Sequence, residues 1–279
     1  MFKNPYKSLN IKGYLMNLDI PKVMGILNVT DDSFYSESRN DTEERIRSHV
    51  RKIISQGVDI IDVGGCSTRP GFTEPSEAEE IKRIALGCQI VRELSGDIVL
   101  SIDTFRAEVA RFALENFDAD IINDISGGFD GKMWELVAEK KVTYVLTHNR
   151  FEGNHSSYND ITAEVIIDLS KKINELHRIG VNDIIIDPGF GFAKTIEGNF
   201  TLLDELGEIA EIGLPVMVGL SRKSMIYKTL EVSPEESLTG TVALDAIALE
   251  KGADILRVHD VKEAKETIKL FTQLKKRSL

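Results

Sequence analysis

The chain has 279 residues, of which 42% are hydrophobic and 28% charged, with a formal net charge of -11. This is long for one average domain, usual for an α/β barrel, and apolar enough for a substantial core. The acidic balance argues against a nucleic-acid surface or a polybasic membrane anchor, and two cysteines cannot make a disulfide framework.

Neither Cys66 nor Cys88 has metal-ligand spacing around it, and no apolar run reaches the roughly 18 residues of a membrane span. The N-terminus lacks the continuous apolar segment of a signal peptide, so a soluble, reducing, cytoplasmic setting is expected.

Residues 1–22 fit no strong template and read as an N-terminal extension, with a short hairpin within 11–18 closing one end of the fold. From residue 23 a rhythm begins and runs to 279 as one domain. Strand-like runs start near Val23, Asp59, Ile98, Asp120, Val142, Asp183, Pro215 and Asp254. Each is followed by a turn and a stretch of helical periodicity. The segment 42–56 sets Ile46, Val50 and Ile53/Ile54 on one face, and 106–117 does the same with Val109, Ala110, Ala113 and Leu114. The pattern returns over 163–179 with Val165, Ile166, Leu169, Ile173 and Leu176, and over 261–275 with Ala264, Ile268 and Leu270/Phe271. Eight βα units in succession predict a (β/α)8 TIM barrel, with an open doubly wound sheet as the rival. The turns 31–41, 64–76 and 149–160 are longer than most connections in compact domains, which is where binding and gating loops tend to sit.

The run Ile184-Ile185-Ile186-Asp187-Pro188-Gly189 is a strand buried on both faces that ends abruptly in a carboxylate. Alone, Asp187 reads first as a cap of the turn or of the next helix, and only second as a ligand group. The other strand ends carry similar residues: Asn28, Thr68-Arg69, Asp103, Asn123-Asp124, His148, Ser221-Arg222-Lys223 and Arg257-Val258-His259. In a barrel, catalytic groups gather at the C-terminal ends of the strands. Arg69, Lys223, Arg257 and His259 together suggest a basic mouth on an acidic body, suited to an anionic group such as a phosphate. Asp103, Asn123 and Asp187 suit a flat heterocycle with adjacent N–H donors. The competing reading is that these charges pair among themselves. No dinucleotide fingerprint or P-loop is present.

Met24-Gly25-Ile26-Leu27-Asn28-Val29-Thr30 with Asp32-Ser33-Phe34, and Ile60 to Gly65 with Ser67-Thr68-Arg69-Pro70-Gly71, resemble the two signatures of dihydropteroate synthases. The resemblance continues through Ser101 to Arg106, Asn123 to Ile125, Asp187 to Lys194, Ser221 to Met225 and Arg257 to Val261. It implies a (β/α)8 barrel transferase of folate synthesis, usually a homodimer. Such an enzyme joins 4-aminobenzoate to 6-hydroxymethyl-7,8-dihydropterin diphosphate, giving 7,8-dihydropteroate and diphosphate. On these positions Asp103, Asn123, Asp187 and Lys223 would hold the pterin. Asn28 would help place Mg2+ on the diphosphate, whose oxygens Arg69, Arg257 and His259 would bind. Thr68, Pro70, Phe192 and Ser221 would border the aminobenzoate.

The chain departs from the family at Asp31 in place of Pro, at Tyr35 to Arg39 in place of Ser-Asp-Gly-Gly, and at Cys66 in place of Glu. It also has Thr147-His148-Asn149-Arg150 where Met-His-Met is frequent, which removes an apolar contact expected there. Two alternatives are a pterin-binding methyltransferase-type barrel and a non-catalytic pterin-binding homologue. The first has no need of the Ser-Thr-Arg-Pro loop, and the second should have lost Asp103, Lys223 or Arg257.

Overall fold

The structure is a computed structural model that describes residues 7–30, 39–66 (side chains from Thr42), 74–150 and 158–275. It begins with an antiparallel hairpin, β1 (Ser8–Ile11) and β2 (Tyr14–Asn17). Lys12 and Gly13 both have positive φ, 49° and 89°, as a two-residue hairpin turn requires. The hairpin therefore starts three residues earlier than the apolar pattern suggested, because its turn falls on a lysine that carries no sequence signal for this conformation.

Eight parallel strands follow: β3 (Lys22–Asn28), β4 (Ile60–Gly64), β5 (Val99–Asp103), β6 (Ile121–Asp124), β7 (Thr143–Thr147), β8 (Ile184–Asp187), β9 (Met217–Val218) and β10 (Ile255–Val258). Their order is β8-β7-β6-β5-β4-β3-β10-β9. A single bridge between Ile186 and Val216 joins the two ends, with Ile186 N–H donating to Pro215 O at 2.9 Å. The sheet thus closes into the expected barrel rather than lying open.

Ten helices among the described residues wrap the barrel: α1 (Arg39–Ser55), α2 (Glu77–Leu94), α3 (Ala107–Phe117), α4 (Gly131–Lys140), α5 (Ile161–Arg178), α6 (Ile196–Asp204), α7 (Leu206–Ala210), α8 (Ser224–Tyr227), α9 (Leu238–Glu250) and α10 (Val261–Lys275). Four starts are capped by a side chain that accepts a backbone N–H: Ser76, Asp130, Asp160 and Thr195. The Asp160 cap begins α5 at Ile161, two residues before its apolar stripe becomes evident.

Alternation along the strands divides the buried residues into two sets. Val23, Leu27, Ile61, Val63, Leu100, Ile102, Ile122, Leu146 and Ile186 face outward and pack against the helices. Met24, Ile60, Val99, Ile121, Val145, Ile185, Met217 and Ile255, one from each strand, face inward and form an apolar floor. Leu9, Ile11, Met16 and Leu18 of the hairpin segment pack beneath that floor. Asn10 N–H to Asp183 Oδ1 (3.0 Å) and the Lys7–Asp254 ion pair (2.7 Å) pin the hairpin to the barrel. One end of the barrel is sealed in this way, and the strand alternation continues upward to the other.

Candidate active site

Two residues above the apolar floor, the inward positions change character. Six of the eight become polar, Asp62 on β4, Ser101 on β5, Asn123 on β6, Thr147 on β7, Asp187 on β8 and Arg257 on β10, while β3 keeps Ile26 and Gly219 follows β9. Asn28, Asp103, Ser221 and His259 lie at or just beyond the strand ends. A layer of buried polar groups in a barrel interior is costly unless its members pair or meet a ligand.

Arg257 is the hub. Its Nε donates to Asp62 Oδ2 at 2.7 Å and its Nη2 donates to Asp103 Oδ2, while Nη1 makes no hydrogen bond among the described residues. Asn123 Nδ2 donates to the same Asp62 oxygen at 2.9 Å. Burial works against the Arg257 charge, but Asp62 and Asp103 outweigh it and hold the guanidinium protonated. Asp103 is raised above the usual carboxylate range, first by burial, with Arg257 opposing and Asp62 adding to the rise. The fully buried Asp62 carries the ion pair from below.

The Asp187 carboxylate accepts Gly189 N–H at 2.8 Å, its one side-chain hydrogen bond among the described residues. Gly189 has φ +73°, and a Cβ there would lie 2.0 Å from His148 O, so this turn requires glycine. Burial raises the Asp187 carboxyl, with Lys223 opposing. Lys223 donates to Phe190 O and lies 4.9 Å from the Phe192 ring centroid. Its ammonium is pushed down to about 8, chiefly by burial, with Asp187 working against the fall. The neighbouring Asp124 shows what a purely structural strand-end carboxylate looks like. It accepts from Tyr144 OH, from Ser126 N–H and Oγ, and from Gly128 N–H.

Ser221 Oγ lies 3.0 Å from His259 Nδ1, joining the ends of β9 and β10. Asn28 Oδ1 and the Asp103 side chain both flank Gly64, where a Cβ would meet them at 3.3 and 3.5 Å. His148 is buried, and burial pushes its imidazole down to about 3. Lys194 Nζ lies 3.2 Å from His148 Nδ1 and donates to Gly189 O at 2.8 Å, so it ties the loop after β8 to the end of β7.

Asn28, Asp103, Asn123, Asp187, Phe192, Ser221, Lys223, Arg257 and His259 thus gather at one end of the barrel. Thr68, Arg69 and Pro70 lie outside the described residues, as do Asp31 and Phe34. The expected basic mouth needs correction among the described residues. Arg257 is compensated by Asp62 and Asp103, and Lys223 feels Asp187, so these cations do not form a field of free positive charge.

Three contributors escaped the strand-end reading. Asp62 and Thr147 were findable by the argument that singled out Asp187, since each is a polar residue on a buried strand. Lys194 ends the Asp187 to Lys194 stretch of the resemblance but gave no strand-end signal, because its role depends on the course of the loop.

The fold and this polar layer define a parallel α/β barrel with buried ionisable groups gathered at the C-terminal ends of its strands. The pattern of the family described as pterin binding enzyme matches residues 24–259, and the chain belongs to that family. Its relatives within it are dihydropteroate synthases. That of Streptococcus pyogenes is 41% identical over 257 residues, covering 90% of this chain and 95% of the relative. The Xanthomonas albilineans dihydropteroate synthase solved with 4-aminobenzoic acid has a TM-score of 0.90 at 36% identity, covering 97% of this chain and 98% of that one. The same organism's enzyme in complex with 7,8-dihydropteroate has a TM-score of 0.86 at 33% identity, covering 96% and 98%.

Proposed function

We propose that this chain condenses 6-hydroxymethyl-7,8-dihydropterin diphosphate with 4-aminobenzoate, giving 7,8-dihydropteroate and diphosphate, as a dihydropteroate synthase of folate biosynthesis. The observation that carries the reading is the convergence of Asp103, Asn123, Asp187, Lys223 and Arg257 in one end of the barrel. The relatives' identity and the ligands of the structural neighbours support it.

Asp187, Asn123 and Asp103 hold the pterin's N–H edge, and Lys223 adds its ammonium beside them. The aniline nitrogen attacks the methylene carbon as the carbon–oxygen bond to diphosphate breaks. The leaving oxygen takes the electron pair, and the new secondary amine gives up a proton to solvent. The protein's task is to orient the two reactants and to meet the charge that grows on the leaving group. Arg69, His259 and the Nη1 edge of Arg257 are assigned to the diphosphate, while Thr68, Pro70, Phe192 and Ser221 border the aminobenzoate.

Among the described residues no group of three or more His, Cys, Asp or Glu could hold a metal ion. Mg2+ commonly takes one or two protein oxygens and completes its shell with water and substrate phosphate. Asn28 Oδ1, left open over Gly64, is a donor of that kind, and it would hold the ion that neutralises diphosphate charge. A homodimer in a cytoplasmic setting, with residues 1–22 as an extension to one catalytic domain, completes the proposal.

The test is diphosphate release by the full chain with both substrates and Mg2+. Release that depends on 4-aminobenzoate is expected. Pterin binding without release would overturn the enzymatic reading in favour of a non-catalytic pterin-binding homologue.

A further inference from the structure

One buried polar group in the site has no role in the scheme above. Thr147 ends β7 and faces inward with Val145, while Tyr144 and Leu146 pack outward. Its register partner across the parallel pair is Asp187. The side chain is fully buried, and Oγ1 has no hydrogen-bond partner among the described residues. Burying a hydroxyl unpaired is unfavourable, and valine has nearly the same shape without that penalty. Thr143, on the same face at the other end of the strand, does find a partner in Asn10 O.

The other unpartnered atoms of the layer help to read this one. Asn123 Oδ1 has the same signature, buried and unpaired, in a residue already assigned to the ring. Asp62 Oδ1 belongs to a carboxylate whose other oxygen takes two bonds, and Ser101 is the register neighbour of Asp62 rather than of Asp187. Among the described residues, Thr147 alone places a free hydroxyl next to the carboxylate assigned to the ring's N–H edge. A hydroxyl both donates and accepts, so it can satisfy a ring nitrogen, an oxo group or an amine beside that edge.

We infer that Thr147 is a specificity-determining residue for the pterin, its Oγ1 hydrogen-bonding the polar edge of the ring beside Asp187. This rests on the pterin-binding reading of the site and deepens it. The hydroxyl replaces an apolar contact, so this chain reads by hydrogen bonding a part of the ring that a thioether would only pack against.

Thr147→Val and Thr147→Ser in the full chain test it, with pterin diphosphate titrated by calorimetry and steady-state kinetics for both substrates. Thr147→Val should weaken pterin binding about tenfold, the usual loss for one hydrogen bond made in a buried site. The KM for 4-aminobenzoate should stay within about twofold, and the melting temperature should not fall, since no protein hydrogen bond is lost. Thr147→Ser, which keeps the hydroxyl, should bind within about threefold of the parent chain. Unchanged pterin affinity in Thr147→Val overturns the inference, as does a loss of affinity matched by a fall in melting temperature. If the parent chain itself does not bind the pterin, the reading of the site fails, which is a different result.

Discussion

Lys223 gives the site a pH dependence whose direction follows from its surroundings. Burial, opposed by Asp187 and Asp103 and aided by the nearby Arg257, lowers its ammonium from 10.5 to about 8. In the unfolded chain the proton is held up to the ordinary value, so between about 8 and 10.5 the unfolded state binds more protons and this residue's contribution to stability rises with pH. On the role proposed for Lys223 beside the pterin, ligand binding runs the other way, because that role needs the ammonium. Affinity for pterin diphosphate should fall as pH rises through about 8, and it should also fall on the acid side as Asp103, raised to about 7, takes up its proton. Lys223→Met should bind weakly and lack the alkaline fall; equilibrium titrations across the range check both. Arg257 is a poorer probe. Its removal would be expected to slow diphosphate departure, but it also strips the partner from two carboxylates, one of them fully buried. Unpaired buried charge destabilises strongly, so Arg257→Ala confounds binding with folding.

At the scale of elements, the barrel separates stability from chemistry. The hairpin β1–β2 lies under the apolar floor, and the polar layer begins two residues above it. Leu9 is 1% exposed and packs in that lower cluster. Leu9→Ala should cost about 2–4 kcal/mol of stability, as truncation of a packed core leucine does. Urea unfolding measures it. At a temperature where the variant is still folded, kcat/KM for both substrates should match the parent chain, because no site residue touches this end. A fall in kcat/KM at full folding would mean that the floor transmits strain to the polar layer. The turn at Asp187-Pro188-Gly189 is the corresponding element at the working end. It fixes the carboxylate through the Gly189 N–H, and the tight approach to His148 O leaves no room for a side chain. The Asp187 carboxylate caps its own turn with one oxygen, which is compatible with the proposed ligand role for the other; the sequence presented the two readings as alternatives.

At the scale of the whole molecule, the eight strands were legible because each is a short β-branched run between turn signals, as at Ile60–Gly64 and Ile184–Asp187. Asp103, Asn123, Asp187, Lys223 and Arg257 were legible because strand ends are where a barrel presents chemistry. Asp62 could be singled out as a polar residue on a buried strand, but its direction depends on the phase of the alternation within β4, which only the register with β3 and β5 fixes. Closure was legible by counting alone, and the structure shows why nothing local announced it. β3 and β4 pair over five residues, as do β4 and β5, whereas β9 has two residues and meets β8 through one bridge. The seam between β8 and β9 is therefore the weakest part of the ring. Local opening draws on regions with few backbone pairings, and those amides exchange first. Hydrogen exchange should find the amides of 216–218 at least about tenfold less protected than those of 61–63, although both segments are buried. Equal protection would show that helix packing from α6 to α9 closes the seam as firmly as a full strand pair. The outcome matters for the site, because Ser221 and Lys223 follow β9 directly while Asp187 ends β8. A seam that opens would loosen the ammonium and the carboxylate on either side of the ring together, and pterin binding should then raise the protection of 216–218 more than that of 61–63.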